Sequence, residues 1–289
     1  MSDPVLTLEH VGKTFHTRNG PFHALEDVNL EVHKGEFVSL MGHSGCGKST
    51  LLNMIAGFTP GSEGDIRFHG APVTRPGPDR MMVFQNYSLL PWMSVHKNVL
   101  LALRNCRRDL DRKAQTREAD RLLDMVGLGA ARDRLPCELS GGMKQRASIA
   151  RALSVNPGML LLDEPFGALD ALTREELQEE LLAIWEQQHI TVIMITHDAD
   201  EAILLSDRIL MMTNGPSASI GREFGVPLVR PRDRDSLMED PAFYTLRNRL
   251  IAYLYGKEGD ILEGDDFDNT LFGAEAYMAE HHETAPFAE

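Results

Sequence analysis

Nine consecutive residues, Gly42, His43, Ser44, Gly45, Cys46, Gly47, Lys48, Ser49 and Thr50, combine three glycines with a lysine and a run of hydroxyls. That composition can hold phosphate. Glycines let backbone N–H groups turn inward around phosphate oxygens with no Cβ in the way. Lys48 can reach the β- and γ-phosphates, and Ser49 can hold Mg²⁺. Further along, Asp163 and Glu164 follow an apolar run. An aspartate there can complete the cation shell begun by Ser49. The adjacent glutamate can polarise a water for attack on the γ-phosphate. Loop and acid pair together point to nucleotide hydrolysis. Two further residues end apolar runs. His197 is either a γ-phosphate contact or a structural histidine. Gln85 either reaches Mg²⁺ or the water, or is a solvated loop amide.

These side chains need elements to position them. Residues 37–41 read as a short buried strand and 51–56 as a helix start, whose N-terminal partial charge favours anions. Residues 159–162 and 191–196 read as buried parallel strands, and ligands of open α/β sheets bind at the carboxyl edge of such strands. A strand is also expected at 208–212. Early alternating runs at 5–11 and 24–32 suggest an antiparallel β subdomain, with further strands at 65–68 and 81–84. The Pro- and Gly-rich stretch 71–79 reads as loop. Residues 95–128 turn helical and charged, which marks a separate helical subdomain. A helix capped by Ser140 follows to 153. A long one over Ala171–Gln188 buries Leu177, Leu181, Ile184 and Trp185 along one stripe. After Pro216 the pattern weakens. It recovers at 241–255 as an amphipathic helix with Asp240 as cap and Pro241 in its first position.

The 289 residues carry 43% hydrophobic and 25% charged side chains and a net charge of −14. Ten acidic residues and one lysine fall within 257–289, which therefore reads as a disordered acidic tail. The mildly acidic remainder argues against nucleic-acid binding, which uses basic patches. No run approaches the roughly 20 apolar residues of a membrane span. The polar N-terminus gives no sign of a signal peptide. Cys46, Cys106 and Cys137 are widely spaced and read as reduced thiols.

Leu139, Ser140, Gly141, Gly142, Met143, Lys144 and Gln145 resemble the signature motif of ATP-binding cassette (ABC) ATPases, with Met143 where glutamine is usual. Ala168, Leu169 and Asp170, after Phe166 and Gly167, are similar to that family's D-loop, Gln85 to its Q-loop and His197 to its switch histidine. The resemblance covers roughly residues 5–213. It implies an α/β fold: a P-loop NTPase core with a mostly parallel sheet, an antiparallel β subdomain and an inserted helical subdomain. The expected division is an ATPase domain at 5–238, with its helical subdomain at about 88–156, then a C-terminal helix at 239–256 and the tail. It also implies Mg-ATP at the interface of a head-to-tail dimer, where the phosphate loop of one chain faces residues 139–143 of the other. Phe15 matches the family's adenine-stacking aromatic, or else packs a strand end.

The stretch from Gln85 to Trp92 resembles the Q-loop of the nitrate/sulfonate/taurine importer group. Its apolar residues either receive a helix of a membrane-spanning permease or pack the helical subdomain. Residues 211–216, 229–234 and 238–241 are similar to the nitrate branch. The resemblance thus implies the ATPase subunit of a nitrate or nitrite importer, on the cytoplasmic face of a bacterial inner membrane. Its partners would be a permease, an identical or paralogous second ATPase subunit, and a periplasmic or lipid-anchored substrate-binding protein. A sulfonate, taurine or cyanate importer is the alternative. A soluble ABC ATPase and a module regulated by its acidic tail are further readings.

Overall fold

The computed structural model describes residues 3–256. The acidic segment 257–289, expected to be disordered, lies outside the described residues. In chain order the elements are β1 (Leu6–Thr17), β2 (Gly20–Val32), β3 (Phe37–Met41), α1 (Lys48–Ile55), β4 (Glu63–Phe68), β5 (Ala71–Pro72), β6 (Arg80–Val83), α2 (Val95–Cys106), α3 (Arg112–Met125), α4 (Gly141–Leu153), β7 (Met159–Asp163), α5 (Ala171–Gln188), β8 (Thr191–Ile195), α6 (Ala199–Leu205), β9 (Arg208–Met212), β10 (Ile220–Gly225), α7 (Arg234–Glu239) and α8 (Pro241–Leu254).

Two sheets form. One is antiparallel, in the order β2-β1-β4-β5. The other has the order β10-β9-β3-β8-β7-β6 and is parallel except at β10. All of β3 and β8, and β7 up to Leu162, are buried, as expected of parallel strands covered on both faces. Because side chains alternate across a strand, each divides its residues between two cores. Phe37, Leu160, Leu162, Val192 and Met194 join the core shared with α2–α6 and α8. Val38, Leu40, Leu161, Ile193 and Ile195 join the core shared with α1 and the antiparallel sheet. The expected α/β architecture is the one the chain builds.

Helix α5 runs over the predicted span. Asp170 accepts from the Thr173 N–H at its start, and His189 closes it in the left-handed region (φ 48°). Its Trp185 is a core residue, edge-on to Phe37 with the Arg230 guanidinium 4.1 Å from its ring centre. Elsewhere the structure adds detail. The helical stretch after Val95 is two helices, split between Cys106 and Arg112. Ala71 and Pro72, expected as loop, pair with β4 as a two-residue edge. Beyond Pro216 stand β10, on which only Phe224 is buried, and the six-residue α7. In α8, whose apolar spacing predicts a buried stripe of Phe243, Leu246, Leu250, Ile251 and Leu254, the first three are buried and the last two only half-buried. Within residues 229–234 one side chain turns inward while Val229, Pro231 and Asp233 stay exposed. Arg232 is buried, and its guanidinium donates to the carbonyls of Ile203 and Ser206 near the end of α6. Among the described residues no helix is long and apolar enough to cross a membrane.

Candidate active site

The phosphate loop joins β3 to α1. Gly42, Gly45 and Gly47 have φ of 151°, 81° and 100°, which glycine adopts freely and other residues resist. Close packing beneath the loop adds to this. A Cβ on Gly47 would lie 2.8 Å from Leu25 Cδ2, and one on Gly42 would lie 3.0 Å from Cys46 Sγ. The Cys46 thiol is buried. Lys48 is buried too, and its Nζ donates to the carbonyls of Gly42 and His43, each at 2.8 Å. The ammonium therefore sits inside the curl of the loop. His43, Ser44, Gly45 and Ser49 are exposed, and Thr50 is half-buried.

Strands β6, β7 and β8 are sheet neighbours, so their carboxyl ends lie side by side. Asp163 ends β7, and its Oδ1 accepts from Ser49 Oγ at 3.1 Å. Burial pushes the Asp163 carboxyl up, the Ser49 hydroxyl opposes this, and the Glu164 charge adds to it. A hydroxyl and a carboxylate this close suit a hard cation. Ser49 and Asp163 thus fit Mg²⁺, whose chemistry when bound would be to neutralise phosphate charge.

Glu164 is held on both sides. Oε1 lies 2.7 Å from His197 Nε2, and Oε2 accepts from Gln85 Nε2 at 3.3 Å. Its backbone is left-handed (φ 47°), fixed by a bond from its N–H to the Ile195 carbonyl and one from the Gly167 N–H to its own carbonyl. Gln85, Glu164 and His197, predicted from three separate strand ends, therefore meet in one cluster. A cavity of about 910 Å³ opens beside it, lined among others by Gly42, His43, Ser44, Glu164, His197 and Tyr255.

The signature residues lie elsewhere. Leu139 is buried, and Ser140 caps α4 by accepting from the Met143 N–H at 3.3 Å. The two glycines permit close packing. A Cβ on Gly141 would meet Leu169 Cδ2 at 3.1 Å and Tyr87 OH at 3.4 Å, and one on Gly142 would meet Thr173 Cγ2 at 2.4 Å. The start of α4 thus rests on Leu169 and on α5, and residues 139–143 do not line the cavity beside Glu164. Ala168 is exposed, and Asp170 serves as the cap of α5. Phe15, 39% exposed, lies opposite Phe22, with Lys13 Nζ 5.0 Å from its ring centre. Lys13 in turn pairs across β2 with Leu25, the side chain beneath Gly47.

Other positioning residues were not visible in the sequence. Arg151, in the last turn of α4, donates to the Tyr87 and Ser88 carbonyls. Buried Asn98 bonds the N–H and carbonyl of Leu90 and the carbonyls of Met93 and Ser94. That clamp leaves Trp92 71% exposed at the tip of its loop. Arg174 links the Leu169 carbonyl to Asp198, the residue after His197. Glu201 is buried under the cavity, and desolvation raises its carboxyl to about 8. A buried acid within an Asp/Glu-rich run gives no sequence signal, since such runs usually face water.

A family model described as ABC transporter matches residues 25–167. The bicarbonate transport ATP-binding protein CmpD of Synechococcus elongatus is 56% identical over 256 residues, 88% of this chain and 92% of that protein. The nitrate import ATP-binding protein NrtD of the same organism is 55% identical over 250 residues, 86% of this chain and 91% of that protein. A solved dimer of the ATP-binding cassette MJ0796, in a post-hydrolysis state bound to ADP and Pi, superposes with a TM-score of 0.69 at 32% identity. It covers 78% of this chain and 100% of that one.

Proposed function

The chain belongs to the ABC transporter family, and we propose that it is the ATP-hydrolysing subunit of an importer of a small inorganic anion, nitrate or nitrite on one reading and bicarbonate on the other. The observation that carries the catalytic part is the Glu164 carboxylate held between Gln85 and His197 at the edge of the cavity that the phosphate loop also lines. The loop N–H groups and Lys48 hold the phosphates of ATP. Ser49 and Asp163 hold Mg²⁺. Glu164 orients a water against the terminal phosphate and takes its proton, while His197 and Gln85 fix the carboxylate. Positioning and charge neutralisation supply most of the acceleration in such transfers.

The anion rests on the relatives. Identities of 56% to a bicarbonate ATPase and 55% to a nitrate ATPase do not separate the two readings. A second ATPase subunit, identical or paralogous, closes over ATP with its residues 139–143. The exposed tip at Trp92 docks the permease on the cytoplasmic face of the membrane, and a substrate-binding protein delivers the anion outside. Uptake of labelled nitrate, nitrite and bicarbonate by cells with and without this gene tests the assignment. Selective loss of one anion names it. Unchanged uptake of all three overturns the importer reading for these anions.

A further inference from the structure

Helix α8 is fastened to the catalytic edge at two points, one in its middle and one in its last turn. His43 Nε2, in the phosphate loop, lies 2.5 Å from the Leu254 carbonyl. Arg247 Nε donates to Asp200 Oδ1 at 2.5 Å, three residues beyond His197. A carbonyl in the last turn of a helix has no partner within the helix, and here the loop histidine supplies one. The buried stripe of Phe243, Leu246 and Leu250 holds α8 in the core, and Leu254 packs against the end of that stripe. Ile251, Leu254 and Tyr255 line the cavity together with Gly42, His43 and Ser44. Ile251 and Leu254 are half-buried, and Tyr255 is 72% exposed.

We propose that this rim of Ile251, Leu254 and Tyr255 is part of the surface against which a second copy of this chain closes over ATP. The inference rests on the reading of the chain as a dimerising ATPase and names a part of the interface outside the nucleotide motifs. Two observations favour a second copy as the occupant. The rim is continuous, through the His43–Leu254 bond, with the loop edge that the partner must approach. The solved cassette that this chain resembles is a dimer bound to ADP and Pi. A tyrosine in such a place is a common anchor of protein interfaces.

The test uses the full chain carrying Glu164→Gln, which is expected to hold ATP while turning it over far more slowly. Dimerisation with ATP is followed by sedimentation equilibrium, and monomer affinity by a fluorescent ATP analogue. Tyr255→Ala is expected to weaken dimerisation about tenfold at unchanged ATP affinity, and Tyr255→Phe to restore it. Equal dimerisation by Tyr255→Ala and its parent overturns the inference and leaves the ATPase reading standing. So does a parallel fall in ATP affinity, which would place Tyr255 in the nucleotide pocket. If the effect vanishes once residues 257–289 are removed, the rim serves the chain's own tail and the inference fails. Absence of any ATP-dependent dimer in Glu164→Gln alone overturns both readings.

Discussion

Arg151 Nη1 lies 2.7 Å from the Ser88 carbonyl oxygen, and Nη2 lies 3.2 Å from that of Tyr87. Helix α4 therefore carries the signature residues at its first turn and the loop after β6 at its last. Tyr87 and Ser88 are both left-handed, with φ of 63° and 47°, a conformation that non-glycine residues adopt at a cost of about 1–3 kcal/mol each. The arginine offsets that strain and ties the loop proposed to dock the permease to the helix whose start is proposed to face a neighbouring ATP.

Arg151→Ala should destabilise the protein by about 2 kcal/mol, through loss of charge-assisted bonds to two carbonyls. It should also lower the anion taken up per ATP hydrolysed more than it lowers hydrolysis itself. Urea unfolding and a reconstituted transport assay measure the two effects. A proportional fall in uptake and hydrolysis would remove the coupling role.

Glu164→Gln and Lys48→Ala should fail in different ways. The first keeps the loop and its ammonium, so ATP affinity stays while turnover drops by roughly 10²–10⁴-fold. The second removes a buried charge from the centre of the loop, so affinity itself falls by about tenfold or more. Nucleotide titration beside a phosphate-release assay separates them.

Gly142→Ala brings a methyl to 2.4 Å from Thr173 Cγ2. Overpacking of this kind costs about 1–3 kcal/mol, and the start of α4 must shift to relieve it. ATP binding by the same chain should survive, because residues 139–143 lie away from its own phosphate loop's cavity. Turnover, which in the proposed dimer uses the partner's helix start, should fall. Thr173→Ser removes the offending methyl and should restore both melting temperature and turnover in the double variant.

Glu201→Gln should flatten the pH dependence of stability. Burial raises this carboxyl from 4.5 to about 8 in the folded protein. The folded state then keeps a proton that the unfolded state gives up. The associated stability is fully present below about 4.5 and is lost as pH rises through about 8. The parent's melting temperature should thus fall across that window relative to the glutamine variant's. Parallel melting curves from pH 5 to 8.5 would show that Glu201 ionises at its ordinary pH.

What the sequence revealed depended on whether one short segment contained the signal. The phosphate loop, β7 and α5 are each specified locally, by glycine spacing, an apolar run and a capped stripe. The convergence of Gln85, Glu164 and His197 could be inferred because parallel strands bring their carboxyl ends to one edge. Strand β10 escaped notice because an edge strand with one buried residue carries almost no pattern. Arg151 looked like any basic residue near a helix end, and its partners stand 63 and 64 positions away. The bond between His43 and Leu254 spans 211 positions, and no periodicity connects them. Arg232 sits in a run whose only signal was its similarity to the nitrate branch, yet it braces the end of α6 from within.

Glu164 occupies backbone that glycine adopts freely and glutamate adopts at a cost of about 1–2 kcal/mol. A campaign that evolves this protein for heat resistance alone is therefore drawn toward glycine at position 164. Such variants would melt later and hydrolyse nothing. An engineer who wants a hardier transporter has to screen for turnover at every round, or exclude this codon from the library.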